Sequence, residues 1–107
     1  MYDVVVVGGN LSGSSAAINA VEKDVKVEIV VFDVRDYALT SSLLTGFAPD
    51  VLINNAGNAH GLAPVQSGDV NDWDMMIDIN VKGLLYVSKA IIPEMIKKGG
   101  GHIVNIG

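Results

Sequence analysis

Four valines, Val4 to Val7, run into Gly8-Gly9-Asn10-Leu11-Ser12-Gly13, and Asp33 follows at the end of the next β-branched run. Glycines at a strand-to-helix turn let backbone N–H groups approach a phosphate with no β-carbon in the way. The positive end of the helix dipole adds to the attraction. An acid closing the second strand accepts hydrogen bonds from ribose hydroxyls and repels a further phosphate on that ribose. The chemistry in view is therefore the holding of an adenine dinucleotide. Gly8 and Gly13 fill the first and third positions of G-x-G-x-x-G, and Asn10 stands at the second, where the pyrophosphate comes closest. The alternative is that the glycines only turn the chain and Asp33 is a solvated strand end, and Asn10 favours it.

Other residues of chemical type lack partners at useful spacing. His60 sits in a loop and His102 opens a strand-like run, neither with a second ligand or a triad member nearby in sequence. Asp72, Asp74 and Asp78 spread over two turns of a helical pattern, which suits the positive end of a helix better than a metal loop. Arg35, the single arginine, stands between Asp33 and Asp36, a surface ion-pair arrangement.

These residues need a sheet to bring them together. Four β-branched runs, Asp3 to Val7, Lys26 to Phe32, Asp50 to Ile53 and His102 to Ile106, alternate with helical patterns, as in a parallel sheet built from βαβ units. The connections predict helices over Leu11 to Glu22 and Tyr37 to Gly46. A long third helix would start at Asp69 and Asp72 and carry an apolar stripe through Trp73, Met76, Ile77, Leu84, Val87, Ile91 and Met95. Asn80 falls on that same face, Gly83 allows close approach, and Pro93 is expected to kink the last turns before Lys97, Lys98 and three glycines.

The chain has 107 residues, a net charge of −5, half its residues hydrophobic and no cysteine. That is one compact domain, without disulfides or thiolate zinc. No uninterrupted apolar run exceeds four residues, far short of the ~20 that span a bilayer. With no leader-like segment ahead of the first strand, the expected location is cytoplasmic. Acidity and a single arginine argue against a nucleic-acid partner.

Two resemblances sharpen the reading. Residues 1–22, with their Tyr2-Asp-Val-Val-Val-Val-Gly8 opening and Gly13-Ser-Ser-Ala-Ala17, resemble the FAD-binding start of flavoproteins of the geranylgeranyl reductase type. From Val27 to Gly107 the chain resembles the short-chain dehydrogenase/reductase family, in its branch acting on serine and other 3-hydroxy acids. The residues that carry this are Val31-Phe-Asp33-Val34-Arg35-Asp36, Val51-Leu-Ile-Asn54-Asn55-Ala56-Gly57, Asp72-Trp73 through Asn80 to Gly83, and Gly101-His102-Ile-Val-Asn105-Ile-Gly107.

The second resemblance implies that Asp33 and Val34 contact adenine, that the backbone of Asn54, Ala56 and Gly57 lines the cofactor ribose, and that Asn80 is a remnant of the asparagine that positions a catalytic lysine. It also implies a catalytic serine after the last strand and a later Tyr-x-x-x-Lys, neither present in these 107 residues. Tyr86-Val-Ser88-Lys89 is one residue short of that spacing.

Together these predict a Rossmann-like α/β three-layer sandwich over residues 1–107, joining a flavoprotein-like unit (1–25) to a dehydrogenase-like fragment (26–107). Direct pairing of the second strand with the first gives a four-stranded parallel sheet of order 2-1-3-4. The expected molecule is an engineered or recombined dinucleotide-binding module without catalysis of its own, its ligand NAD(P) or FAD. The rival readings are a structural chimera with no ligand and a reductase completed by another chain. Self-association is expected through the long helix, at Leu85, Ile92 and Ile96, or through the last-strand edge.

Overall fold

A computed structural model describes residues 3–8, 25–57 and 63–106. The predicted helix over Leu11 to Glu22, the turn residues Gly9, Asn10 and Gly13, and His60 lie outside the described residues.

Strands β1 (Val4–Val7), β2 (Val27–Val30), β3 (Val51–Asn54) and β4 (His102–Asn105) form one sheet, all parallel, in the expected order β2-β1-β3-β4. Val4 stands opposite both Val27 and Val51, so three strands start level. Asp3 sets that level. Its carboxylate accepts the Lys26 N–H at 3.1 Å, and its carbonyl accepts the N–H groups of Asp50 and Val51 at 2.9 and 3.0 Å. β1 is the inner strand of this trio, and Val5, Val6 and Val7 are fully buried. A strand covered on both faces reads as an unbroken apolar run, which is why four valines in a row serve here.

Helix α1 (Tyr37–Leu44) is capped by Asp36, whose carboxylate accepts the Leu39 N–H at 3.0 Å. Helix α2 (Val70–Ile77) is capped by Asp69, as its position predicts, through the Asn71 N–H at 2.8 Å. Helix α3 (Leu84–Lys98) ends on Gly99 in a left-handed conformation, with Lys97 and Lys98 in its last turn.

The expected single long helix is instead three segments. Between α2 and α3, residues Asp78–Gly83 form a π-helical turn. The wider turn changes the phase of the apolar stripe. Val87, Ile91 and Met95 are buried at helical spacing on α3, whereas α2 buries no residue and Ile77 is largely exposed. Asn80 is likewise exposed rather than set in a buried face.

The core lies between the sheet and α1 with α3: Val5, Val7 and Leu52 from the strands, Val34 from the loop after β2, Leu44 from α1, and Val87, Ile91 and Met95 from α3. Gly83, at the end of the π-helical turn, is pressed on Val34, so that a β-carbon there would overlap the valine side chain. We predict that Gly83→Ala destabilises the fold by about 1–3 kcal/mol. Urea unfolding is the measurement, and combining it with Val34→Ala should cost less than the sum of the two single changes.

Candidate cofactor site

A cavity of about 390 Å³ opens past the C-terminal ends of β2 and β3. Phe32, Asp33, Val34 and Arg35 come from the chain leaving β2, Ala56 and Gly57 from the chain leaving β3, and Met75 and Ile79 from α2 and the π-helical turn. β2 and β3 flank β1 on opposite sides, so the cavity lies where the strand order reverses, the place at which open parallel sheets hold ligands.

Gly8 ends β1 with φ +109°, and a β-carbon on it would stand 2.5 Å from the Ala56 nitrogen and 2.8 Å from the Asn55 carbonyl carbon. Its N–H donates to the Val30 carbonyl at 2.9 Å, and the Asn55 N–H donates to the Val7 carbonyl at 2.8 Å. Both conformation and closeness therefore require glycine here before any ligand is considered. The turn draws the end of β1 against the segment that lines the cavity.

Asp33 is held by Arg35 through both of its carboxylate oxygens. Oδ1 accepts the Arg35 backbone N–H at 3.0 Å and Nε at 2.9 Å, and Oδ2 accepts Nη2 at 2.8 Å. The remaining guanidinium nitrogen, Nη1, lies 2.7 Å from the Met75 sulfur. The guanidinium hydrogen bonds, with the backbone N–H, hold the Asp33 carboxyl below the ordinary aspartate range, and the same pairing raises Arg35. The ion pair read from the Asp33-Val-Arg35 spacing is thus present, and it sits at the mouth of the cavity.

Val34, between them, lines the cavity and also packs into the core. It is 3% exposed and belongs to the core, anchoring the loop against Gly83. Asn54 is also buried, and its amide donates to Asn105 Oδ1 at 2.9 Å and to Ser88 Oγ at 3.4 Å. The Asn54 side chain therefore ties β3 to β4 and α3, while the residues after it continue into the cavity wall. Gly57 meets Asn80 there, since a β-carbon on Gly57 would lie 2.9 Å from Asn80 Oδ1.

Of the expected site residues, Asp33, Val34, Ala56 and Gly57 line one cavity, Gly8 presses on its wall, and Asn80 touches its edge. Phe32, Met75 and Ile79 were not among the expected site residues. Met75 and Ile79 are four apart in a helical stretch shortly before Gly83, a spacing that puts both on one side of a turn. Tyr86 and Lys89 serve packing: the Tyr86 ring meets Tyr37 edge-on at 5.2 Å, and Lys89 Nζ lies 5.3 Å from the centre of the Tyr37 ring. Among the described residues no three His, Cys, Asp or Glu gather as a metal site, and no helix is long and apolar enough to cross a membrane.

The sequence model of the short chain dehydrogenase family matches residues 2–107, running through the flavoprotein-like start and across the junction near Val25. The NADP-dependent 3-hydroxy acid dehydrogenase YdfG of Escherichia coli (strain K12) is 42% identical over 84 residues, which are 74% of this chain and 34% of that protein. Sulfoacetaldehyde reductase 2 of Chromohalobacter salexigens is 40% identical over 89 residues, 78% of this chain and 35% of its own. The chain thus spans about a third of the length of the curated relatives it matches. Among solved structures, serine dehydrogenase from Escherichia coli superposes with a TM-score of 0.86 at 31% identity, over 97% of this chain and 61% of that one. The closed form of serine dehydrogenase complexed with NADP+ gives 0.72 at 34% identity, over 99% and 44%.

A carboxyl whose ionised form accepts several hydrogen bonds titrates low. The NMR titration midpoint of the Asp33 carboxyl should fall below the ordinary value of about 3.9, and Arg35→Gln should return it toward that value. A group depressed in this way stabilises the fold above the unfolded-state pKa and loses that contribution as pH falls through the folded-state one. Wild type and Arg35→Gln should therefore differ in stability at neutral pH and converge in acid.

Proposed function

Since the chain belongs to the short-chain dehydrogenase family, we propose that it forms the nucleotide-binding portion of an NADP(H)-dependent dehydrogenase. The observation that carries this reading is the Arg35 guanidinium locked across the Asp33 carboxylate at the mouth of the switch-point cavity. A bare acid in that position repels a ribose phosphate, so Asp33 taken alone favours NAD or FAD within the expected set of NAD(P) or FAD. An acid covered by a guanidinium presents a neutral pair, and arginine is suited to pair with phosphate in two-pronged fashion. The names of the relatives point the same way, to NADP. One family accounts for residues 2–107, so the nicotinamide reading needs no flavin contribution from the N-terminal stretch.

The cofactor would supply hydride transfer at its nicotinamide ring. This chain's own residues would position it: Gly57 and Ala56 by leaving room beside their backbone, Asp33 and Arg35 at the adenosine end, and Asn80 at the edge beside Gly57. No Tyr-x-x-x-Lys occurs in the 107 residues, and Tyr86 and Lys89 are engaged with Tyr37. Catalysis of hydride transfer needs a positioned acid for the substrate oxygen. We therefore propose that these residues alone bind cofactor without turnover, and that in a longer chain they serve oxidation of a small 3-hydroxy acid or reduction of the matching carbonyl compound.

Calorimetric titration of the 107-residue chain with NADP+, NAD+ and FAD tests the reading. NADP+ should bind most tightly, and Arg35→Gln should weaken NADP+ about tenfold, roughly the 1.4 kcal/mol of one charged contact, with little effect on NAD+. Equal binding of NADP+ and NAD+ by the wild type, or preferential binding of FAD, would contradict it.

A further inference from the structure

The Arg35 and Asp33 side chains are 40% and 48% exposed. An ion pair in that setting holds its members weakly, because water screens the attraction and two side chains lose their freedom. The two residues also share one loop, so their pairing does not fix the guanidinium relative to the rest of the cavity. Two contacts tie that loop to the helical layer. Val34 is pressed on Gly83 at the end of the π-helical turn, and Arg35 Nη1 donates to the Met75 sulfur at 2.7 Å. Met75 lies 40 residues further along the chain, on α2, whose start the Asp69 cap sets.

A guanidinium has five N–H hydrogens. Among the described residues, Asp33 takes one from Nε and one from Nη2, and Met75 takes one from Nη1. One hydrogen is left on each terminal nitrogen, and these two nitrogens together meet a phosphate in two-pronged fashion.

The kind of acceptor matters as much as its place. A carboxylate at position 75 would grip Arg35 more firmly, but with Asp33 it would set two negative charges against one positive, and the group would repel phosphate. A thioether accepts weakly and carries no charge, so Asp33, Arg35 and Met75 together stay neutral. A further acid whose charge reaches Arg35, Asp78, has its own cation in Lys82 at 3.4 Å.

We infer that Met75 is a positioning residue for phosphate discrimination: its uncharged sulfur holds the Arg35 guanidinium across the cavity mouth without cancelling its charge. This rests on Arg35 as the contact for the ribose phosphate, as proposed above. Met75 acts through Arg35 and needs no contact of its own with the nucleotide.

The test is calorimetric titration of NADP+ and NAD+ into the 107-residue chain and three variants, read as the ratio of the two dissociation constants. Met75→Leu conserves volume and removes the acceptor. It should lower the preference for NADP+ about threefold, the low end of what one hydrogen bond contributes. Met75→Gln, a neutral acceptor of similar length, should restore the wild-type ratio. Met75→Glu should lower the preference by about tenfold or more through the added negative charge. NAD+ affinity should stay near its wild-type value in the leucine and glutamine variants. Should a variant fail to fold, the wild type decides by NMR, because the Met75 methyl group must show cross-peaks to the Arg35 side chain.

Equal binding of NADP+ and NAD+ by the wild type would overturn the reading of Arg35 and this inference with it. A preference for NADP+ that Arg35→Gln removes but Met75→Leu and Met75→Glu leave unchanged would overturn the inference about Met75 alone. So would equal losses of NADP+ and NAD+ binding in Met75→Leu, which mark a packing role, or the absence of those cross-peaks.

Discussion

β1 is hydrogen-bonded along both edges, and the placement of every group in the cavity follows from that double pairing. Asp3 starts β2 and β3 at the same level by accepting from Lys26 on one side and from Asp50 and Val51 on the other. Equal starts and equal lengths mean equal ends. Val7 stands opposite Val30 and Asn54, so the chains leaving β2 and β3 emerge side by side, separated only by the width of β1. That gap is closed by Gly8, which can approach the Asn55–Ala56 backbone because it has no side chain. A sheet of this order makes a crevice at the reversal, and here the crevice has an acid–guanidinium pair on one lip and a glycine on the other.

The π-helical turn does for the helical layer what Gly8 does for the sheet. A continuous α-helix from Asp69 would have carried its apolar stripe inward along its whole length. The wider turn at Asp78–Gly83 lets Gly83 bear on Val34 while Ile79 and Met75 reach the cavity. Val34 connects these two effects. Buried in the core on one side and flanked by Asp33 and Arg35 at the cavity mouth, it couples packing of the helices to the position of the charged pair.

The sheet was legible because parallel strands buried on both faces advertise themselves as β-branched runs, and the order followed from the cost of leaving a gap beside β1. Asp69 was legible as a cap for a similarly local reason. The π-helical turn was not, since it depends on the fit of Gly83 to Val34, a contact between residues far apart in the chain. Asn80 was misplaced for that reason, its apparent face being computed from an uninterrupted helical period. Asp33 was correctly singled out, but its charge could be judged only once Arg35 was seen to cover both oxygens. Asn54 carries two roles that spacing does not separate, a backbone that leads into the cavity and an amide that ties β3 to β4.

The central proposal, built on family membership and the cavity geometry, is a cofactor held between the ends of β2 and β3. The most direct measurement of that claim is backbone chemical-shift mapping of the 107-residue chain with NADP+. The account predicts that the largest changes fall on Asp33, Arg35, Ala56, Gly57 and Ile79, with Tyr86 and Lys89 unmoved. Saturable changes confined to the α1–α3 surface, or no changes at millimolar NADP+, would contradict it.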